Sequence, residues 1–518
     1  MKQIRILWTD DEIDLLKPHI IFLESKGYSV DTATNGTDAI ELSRTNDYDI
    51  IFLDENMPGL SGLETLSQIK DILPHTPIIM ITKSEEEDIM DEAIGSKITD
   101  YLIKPVNPNQ ILLTIKKNID KQRLITEKTT SSYQMEFGKL GMKINEVSSH
   151  KEWCEVYKKL VYWEMQLMES KDSTMDEVFR MQMDEANNSF AKYIKRNYTK
   201  WFRPDCDDKP LLSPNLLREK VFPLLNEGKT VLFLLIDNLR FDQWKAIEPI
   251  LSQFYTTAEE DMFYSILPTS TQYSRNSIFS GLMPSEINKL YPELWKNDDE
   301  EGGKNLYEED MLRSMMNRFN IRTGLHFDKI TDIKNCKAVT DNVKNIVQNK
   351  FVSIVVNFVD SLSHAGTDQR MVRELTNTTE AYLSITKSWF ELSPLFDMLK
   401  AFAEQGAYLV IGTDHGSIQI SNPLKVIGDK ATTTNLRYKQ GRNLAYNPKE
   451  VYEITNPAEA YLPKTNISST YIFSCNDDFF AYPNNYNYYV KYYKNTFQHG
   501  GISLQEMIIP AITMKPKI

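Results

Sequence analysis

The sequence predicts an α/β chain in three parts: a doubly wound (βα)5 unit over residues 1–121, a helical bundle over 122–203, and a larger α/β unit over 204–518. Three observations carry this. Residues 1–121 alternate short apolar runs with helical patterns, and regular β-then-α alternation builds a parallel sheet covered on both faces. From 122 to 203 β-branched clusters, Gly and Pro become scarce, and Trp153, Tyr157, Leu160 and Leu167 recur at helical spacing. In the second half, the apolar runs 230–237, 352–360 and 408–414 each end in an aspartate: Asp237, Asp360 and Asp414. Runs this short and apolar read as central parallel strands buried on both faces.

In chain order, the first unit has strands at 4–8, 29–32, 50–53, 78–81 and 101–103. In the bundle, Ser149 with Glu152, and Ser173 with Asp176, read as capped helix starts, the second with Asp in place of Glu or Gln. The methionine-rich stretch 165–183 reads as packing material rather than a ligand box. Proline-rich 203–214 is a linker. Residues 297–304 form a polar surface loop, and the tyrosine-rich 484–493 reads as a packed strand and loop, with a substrate-stacking surface as the sharper alternative.

A formal charge of -13 and a pI near 5.3 make the chain repel nucleic-acid phosphates, which disfavours broad DNA binding. Four cysteines without a CxxC pair suit a reducing cytoplasm and argue against thiolate zinc. No signal peptide or membrane-spanning run is expected.

In open α/β sheets ligands bind beyond the carboxyl ends of the strands. In the first unit that edge receives Asp10, Asp11, Asp54, Thr82 and Lys104. Clustered carboxylates repel one another unless a cation sits among them, and hard oxygen ligands suit Mg2+. This unit resembles the receiver domain of bacterial response regulators, on Asp10-Asp11, the 54–59 segment Asp-Glu-Asn-Met-Pro-Gly, Thr82, and the 100–105 segment Asp-Tyr-Leu-Ile-Lys-Pro. The resemblance implies Asp54 as phospho-acceptor. It implies Mg2+ on Asp11, Asp54 and the Asn56 carbonyl, with Asp10 in the outer shell. Thr82 and Tyr101 would be the switch pair, and Lys104 the phosphate contact.

In the second half, His364, His415 and His499 accompany the three aspartates. Histidine plus carboxylate without cysteine is the ligand set of a catalytic zinc, and six such ligands suffice for two ions. Asp360 and His364 face the same way if a helical turn follows the strand. Thr269, Ser270 and Thr271 stand at a turn entering a helix, where a hydroxyl either caps the helix or serves as a nucleophile at the positive end of its dipole.

Strand-end Asp237, hydroxyl Thr271, Asp360 with His364, Asp414-His415 and His499-Gly-Gly come in the order of the alkaline phosphatase superfamily, and the unit resembles its PglZ branch. The resemblance implies one zinc on Asp360, His364 and His499. A second would sit on Asp237, Asp414 and His415, with Thr271 as its nucleophilic contact. By similarity to nucleotide pyrophosphatase/phosphodiesterases, Asn288 is the candidate for stabilising the phosphate oxygen, with Asn276 in competition. No arginine or third-metal set of the monoesterase type stands out, which favours phosphodiesters.

Receiver, bundle and PglZ unit together resemble the PorX-type response regulators of type IX secretion. That resemblance implies a PorY-like sensor histidine kinase and an extracytoplasmic-function sigma factor as partners, and zinc-dependent cleavage of cyclic or linear oligonucleotides. Domain order suggests coupling through a phosphorylation-dependent homodimer. The alternative function is a signal-gated interaction protein whose zinc-binding unit holds a partner without significant catalysis.

Overall fold

The computed structural model describes residues 4–74, 76–83, 98–170, 175–298, 300–429, 432–464 and 468–517. They form two compact units, Met1–Tyr133 with Ser170–Asp172, and Gln134–Glu169 with Ser173–Ile518. Among them no helix is long and apolar enough to cross a membrane.

The first unit is a five-stranded parallel sheet: Ser29–Ala33, Arg5–Thr9, Ile50–Asp54, Ile78–Thr82 and Asp100–Ile103, in that spatial order. Successive side chains of a strand point to opposite faces. Leu7, Ile51 and Leu53 accordingly enter one core, and Ile6, Trp8, Ile50 and Phe52 the other. Each expected strand is present, with one or both of its bounds displaced by a residue. The strand order reverses between the first and third strands, which lie side by side and parallel, so Asp10 and Asp54 emerge next to each other.

The bundle consists of Lys121–Glu146, His150–Ser170 and Asp176–Asn197. Ser149 Oγ accepts the Glu152 N–H at 3.3 Å and Glu152 Oε2 accepts the Ser149 N–H at 3.1 Å, the reciprocal bonds expected of a capping box. Ser173, the other expected cap, lies outside the described residues. Trp153 meets Phe190 edge-on with ring centroids 5.3 Å apart. Tyr264 donates its hydroxyl to the His150 carbonyl at 2.9 Å, pinning the second bundle helix to a strand of the large sheet. Of the methionines, Met183 is buried and Met181 is exposed.

The large sheet has the order Tyr255–Tyr264, Ile508–Pro516, Tyr408–Gly412, Val231–Ile236, Phe351–Val356, Leu325–Ile330. The last four are parallel, and Ile508–Pro516 runs antiparallel to both its neighbours. Every residue of Val231–Ile236 and Phe351–Val356 is buried, which is why these strands read as unbroken apolar runs. Leu235 pairs with Gly412, and Ile236 with Val356. Continuing that register sets Asp414, Asp237 and Asn357 in one row past the carboxyl edge.

Two sequence expectations are corrected. The run 352–360 is not one strand: it ends at Val356, and Asp360 lies in the first turn of the helix Phe358–Asp368. Val359 is fully buried and Phe358 stacks on Trp389 at 4.1 Å, so apolarity continues through the strand-to-helix junction and hides it. Residues 484–493 are not a strand and loop but contain the helix Tyr486–Tyr493. Its rings pair four residues apart, Tyr488 with Tyr492 and Tyr489 with Tyr493, each at 6.1 Å.

Candidate active sites

At the first edge, Asp10 and Asp54 are buried, Asp11 is exposed, and one oxygen from each lies within 4.8 Å of the others. Lys104 Nζ stands 2.8 Å from Asp10 Oδ2 and 3.0 Å from Asp54 Oδ2. Burial lifts the Asp54 carboxyl above its usual range, with Lys104 opposing. Asp54 Oδ1 is buried and accepts no hydrogen bond. An oxygen of that kind among three carboxylates fits a divalent cation held by Asp10, Asp11 and Asp54. Asn56 is exposed just beyond the strand, Thr82 is buried, and Tyr101 on the neighbouring strand is exposed.

At the second edge, two clusters share a histidine: Asp237, Asp414 and His415, and Asp360, His415 and His499. His415 Nδ1 lies 3.2 Å from the Gly416 carbonyl, and His499 Nδ1 lies 3.1 Å from the Thr269 carbonyl. A carbonyl only accepts, so Nδ1 carries the proton in both rings and each Nε2 presents a lone pair. The rings stack at 4.0 Å. His415 Nε2 is 3.7 Å from Asp237 Oδ1 and 3.8 Å from Asp414 Oδ2, and His499 Nε2 is 3.6 Å from Asp360 Oδ1. Burial and the neighbouring His415 push His499 down to about 3. His364, one helical turn after Asp360, points Nε2 at Asp360 Oδ2 from 3.4 Å while its side chain remains 63% exposed; that hydrogen bond raises its pKa.

The backbone is tailored to these positions. A Cβ on Gly416 would fall 2.0 Å from the Gln505 carbonyl, so only glycine lets His415 approach so closely. Gly500 has φ +123°, a region that favours glycine. Its N–H donates to Thr269 Oγ1 at 3.0 Å, and that hydroxyl donates to the Gly501 carbonyl at 2.9 Å.

The three hydroxyls thus separate. Thr269 pins the His-Gly-Gly turn. Ser270 is the N-cap of the helix Thr271–Ser280, without a side-chain capping bond. Thr271 Oγ1 reaches His415 Nε2 at 3.1 Å. Neither asparagine candidate joins this cluster. Asn276 donates to the Lys304 carbonyl and accepts from Asn305, while Asn288 sits half-buried on the separate helix Pro284–Leu290 with no hydrogen bond to the site among the described residues.

Sequence reading missed Arg275, Asn238 and Asn357. Arg275 is buried and pairs through Nη2 with Asp237 Oδ2 and through Nε with Asp414 Oδ2 at 2.9 Å. It is an arginine of the site, yet it holds carboxylates. Its four-residue spacing from Thr271 was the available signal. Asn238, at φ +64°, donates its N–H to Asp414 Oδ1 at 3.2 Å and its amide to Asp360 Oδ1 at 3.4 Å. Burial and Asp414 lift Asp237 well above the carboxylate range despite Arg275. Burial also opposes ionisation of Asp414, but His415 and Arg275 outweigh it and hold that carboxyl low. Asp237 Oδ1 is buried without a hydrogen bond, facing the lone pair of His415 Nε2. This carboxylate-and-imidazole set fits zinc-like divalent ions.

Comparisons with known proteins match each of the three parts of the chain. Residues 216–514, more than half of the chain, match the model of the BREX system PglZ alkaline phosphatase-like domain. The chain belongs to the PglZ family. Ahead of the PglZ domain, residues 6–116 match the response regulator receiver domain and 123–202 the PorX response regulator linker domain. This PglZ protein is therefore a response regulator of the PorX-type architecture.

Curated relatives match the receiver end. ResD of Bacillus subtilis strain 168, a transcriptional regulatory protein, is 36% identical over 114 residues, 22% of this chain and 47% of that protein. The transcriptional regulatory protein ZraR of Klebsiella oxytoca is 33% identical over 140 residues, 27% of this chain and 32% of that protein. The chain thus spans 47% and 32% of their lengths. Among solved structures, chemotaxis protein CheY4 of Vibrio cholerae is 29% identical, covering 22% of this chain and 98% of its own, with a TM-score of 0.22.

Proposed function

We propose that the chain is a two-component response regulator phosphorylated on Asp54, whose PglZ domain is a two-zinc phosphodiesterase with Thr271 as nucleophile. The observation that carries this is the Thr271 hydroxyl, 3.1 Å from His415 Nε2 at the first turn of its helix. The helix dipole favours a negatively charged oxygen there and a bound phosphate beside it. One ion would rest on Asp237, Asp414 and His415, the other on Asp360, His364 and His499, with His415 also within reach of the second group. Bound there, the pair would supply charge stabilisation for the attacking and leaving oxygens of an in-line displacement.

Thr271 Oγ attacks phosphorus, one ester P–O bond breaks, and the first alcohol departs with a proton. Water then cleaves the phosphothreonine and returns the hydroxyl. Asn238 and Arg275 hold the carboxylates in place throughout. A nucleotide phosphodiester, linear or cyclic, is the substrate class this reading takes from the superfamily resemblance.

At the receiver edge, Mg2+ on Asp10, Asp11, Asp54 and the Asn56 carbonyl, with Lys104, would receive a phosphoryl group from a PorY-like sensor histidine kinase. Thr82 and Tyr101 would transmit the change to a homodimer. An extracytoplasmic-function sigma factor as partner, a place in type IX secretion and a cytoplasmic location complete the proposal, by resemblance to the PorX-type response regulators.

The test is hydrolysis of bis(4-nitrophenyl) phosphate by zinc-loaded wild type and Thr271→Ala. Loss of a covalent nucleophile costs on the order of 10³-fold or more. Equal rates overturn Thr271, and a metal-loaded wild type without turnover favours the partner-binding alternative.

A further inference from the structure

We propose that Arg275 is the positioning residue of the Asp237–Asp414–His415 metal site, setting both carboxylates in metal-ready orientation before any ion arrives. The inference rests on the two-metal reading above. It starts from the row past the sheet edge, where the strand register aligns Asp414, Asp237 and Asn357. Arg275 touches all three. Nε bonds Asp414 Oδ2 at 2.9 Å, Nη2 pairs with Asp237 Oδ2, and Nη1 donates to Asn357 Oδ1 at 3.3 Å. One planar guanidinium thus clamps the carboxyl ends of three adjacent strands, a task for a rigid fork of donors rather than a point charge.

The clamp is selective in the oxygens it takes. It occupies Asp237 Oδ2 and leaves Asp237 Oδ1 buried, without a hydrogen bond, 3.7 Å from His415 Nε2. Asp414 Oδ1 is fixed separately, by the N–H groups of Asn238 at 3.2 Å and His415 at 3.1 Å. The open oxygen of Asp237 therefore faces the imidazole, and Asp414 Oδ2, which the arginine holds, is the Asp414 oxygen turned toward the same nitrogen, 3.8 Å from His415 Nε2.

The same helix carries Thr271 one turn before Arg275. Residues four apart share a helix face. The guanidinium that orients the carboxylates therefore also fixes how far the Thr271 hydroxyl stands from them. Glu308 Oε1, buried 3.8 Å from Nη1, and Lys329, 2.8 Å from Glu308 Oε2, back the clamp from behind. No feature of the Asp360–His364–His499 group contacts Arg275 among the described residues, so its influence is confined to one of the two sites.

The experiment is a zinc titration of the metal-free full chain against a chromophoric chelator, with cobalt(II) absorption spectra recorded in parallel. Wild type should take up two ions. Arg275→Gln should weaken the Asp237–Asp414–His415 site by about 10–100-fold, the usual effect of losing a residue that orients metal ligands, and leave the other within a few-fold. Arg275→Lys keeps the charge and loses the fork, and should weaken the same site and change its cobalt spectrum. Asn357→Ala removes only the third arm and should have a smaller effect of the same sign. If Arg275→Gln does not fold, the lysine and Asn357 variants decide. Unchanged affinity and spectra, equal loss at both sites, or tighter binding in the variants overturns the proposal. A wild type that binds no divalent ion overturns the two-metal reading instead.

Discussion

His415 Nε2 stands 3.1 Å from Thr271 Oγ1 and is the nitrogen shared by both candidate metal groups. Its ring is fully buried and its tautomer fixed by the Gly416 carbonyl. His364 belongs to neither compact group and is largely exposed. His415→Ala should therefore reduce bound zinc from two ions to fewer than one per chain. His364→Ala should keep at least one. Metal analysis after dialysis measures both, and equal retention by the two variants contradicts the sharing of His415.

Metal removal should cost stability as well as turnover. Asp237, Asp360 and Asp414 crowd one edge with a single guanidinium, Arg275, directly against two of them. Zinc at about 100 times its Kd stabilises the state that binds it by about 2.7 kcal/mol. At roughly 2–4 °C per kcal/mol for a domain of 150–250 residues, the shift is on the order of 5–10 °C. Calorimetry of chelated and zinc-loaded protein checks this. Thr271→Ala should keep the shift while losing hydrolysis, separating the role of the hydroxyl from that of the ligands.

The two edges were legible in the sequence because short apolar strands announce themselves and acids at their ends stand out. Asp10, Asp54, Asp237 and Asp414 all fall where the strand pattern puts them. Asp360 did not: the half-buried Phe358 and buried Val359 continue the apolar run into a helix, so the strand end at Val356 was invisible. Arg275 escaped because an arginine inside a helix reads as a solvated charge until tertiary structure buries it. The tyrosines of 486–493 misled because aromatic residues favour strands in general, while here ring pairs four apart suit a helix.

Phosphorylation should depend on Asp54 and on magnesium. Burial raises the Asp54 carboxyl, Lys104 counters it, and Asp54 Oδ1 accepts no hydrogen bond. Incubation with acetyl phosphate and Mg2+ should add one phosphoryl group, read by intact mass. Asp54→Asn should abolish the adduct. Lys104→Ala should lower its yield, because the carboxylates lose the cation that lies 2.8–3.0 Å from Asp10 and Asp54. Full labelling of Asp54→Asn would move the acceptor elsewhere.

One bundle carboxyl, Glu164, is coupled electrostatically to the PglZ part of the chain. This carboxyl, on the helix His150–Ser170, lies close to the buried pair Arg240–Asp242, three residues beyond Asp237. Burial, reinforced by Asp242 and opposed by Arg240, raises it from 4.5 to about 8. The folded state therefore keeps a proton that the unfolded chain has lost. Stability from this group is fully present below pH 4.5 and falls as pH rises toward about 8. Glu164→Gln keeps the shape without the proton to lose. It should match wild type near pH 5 and exceed it at pH 8–9, flattening the pH dependence between. Denaturant unfolding across that range tests the sign. A variant less stable than wild type at pH 9 would mean that Glu164 is ionised in the folded protein and paired with Arg240.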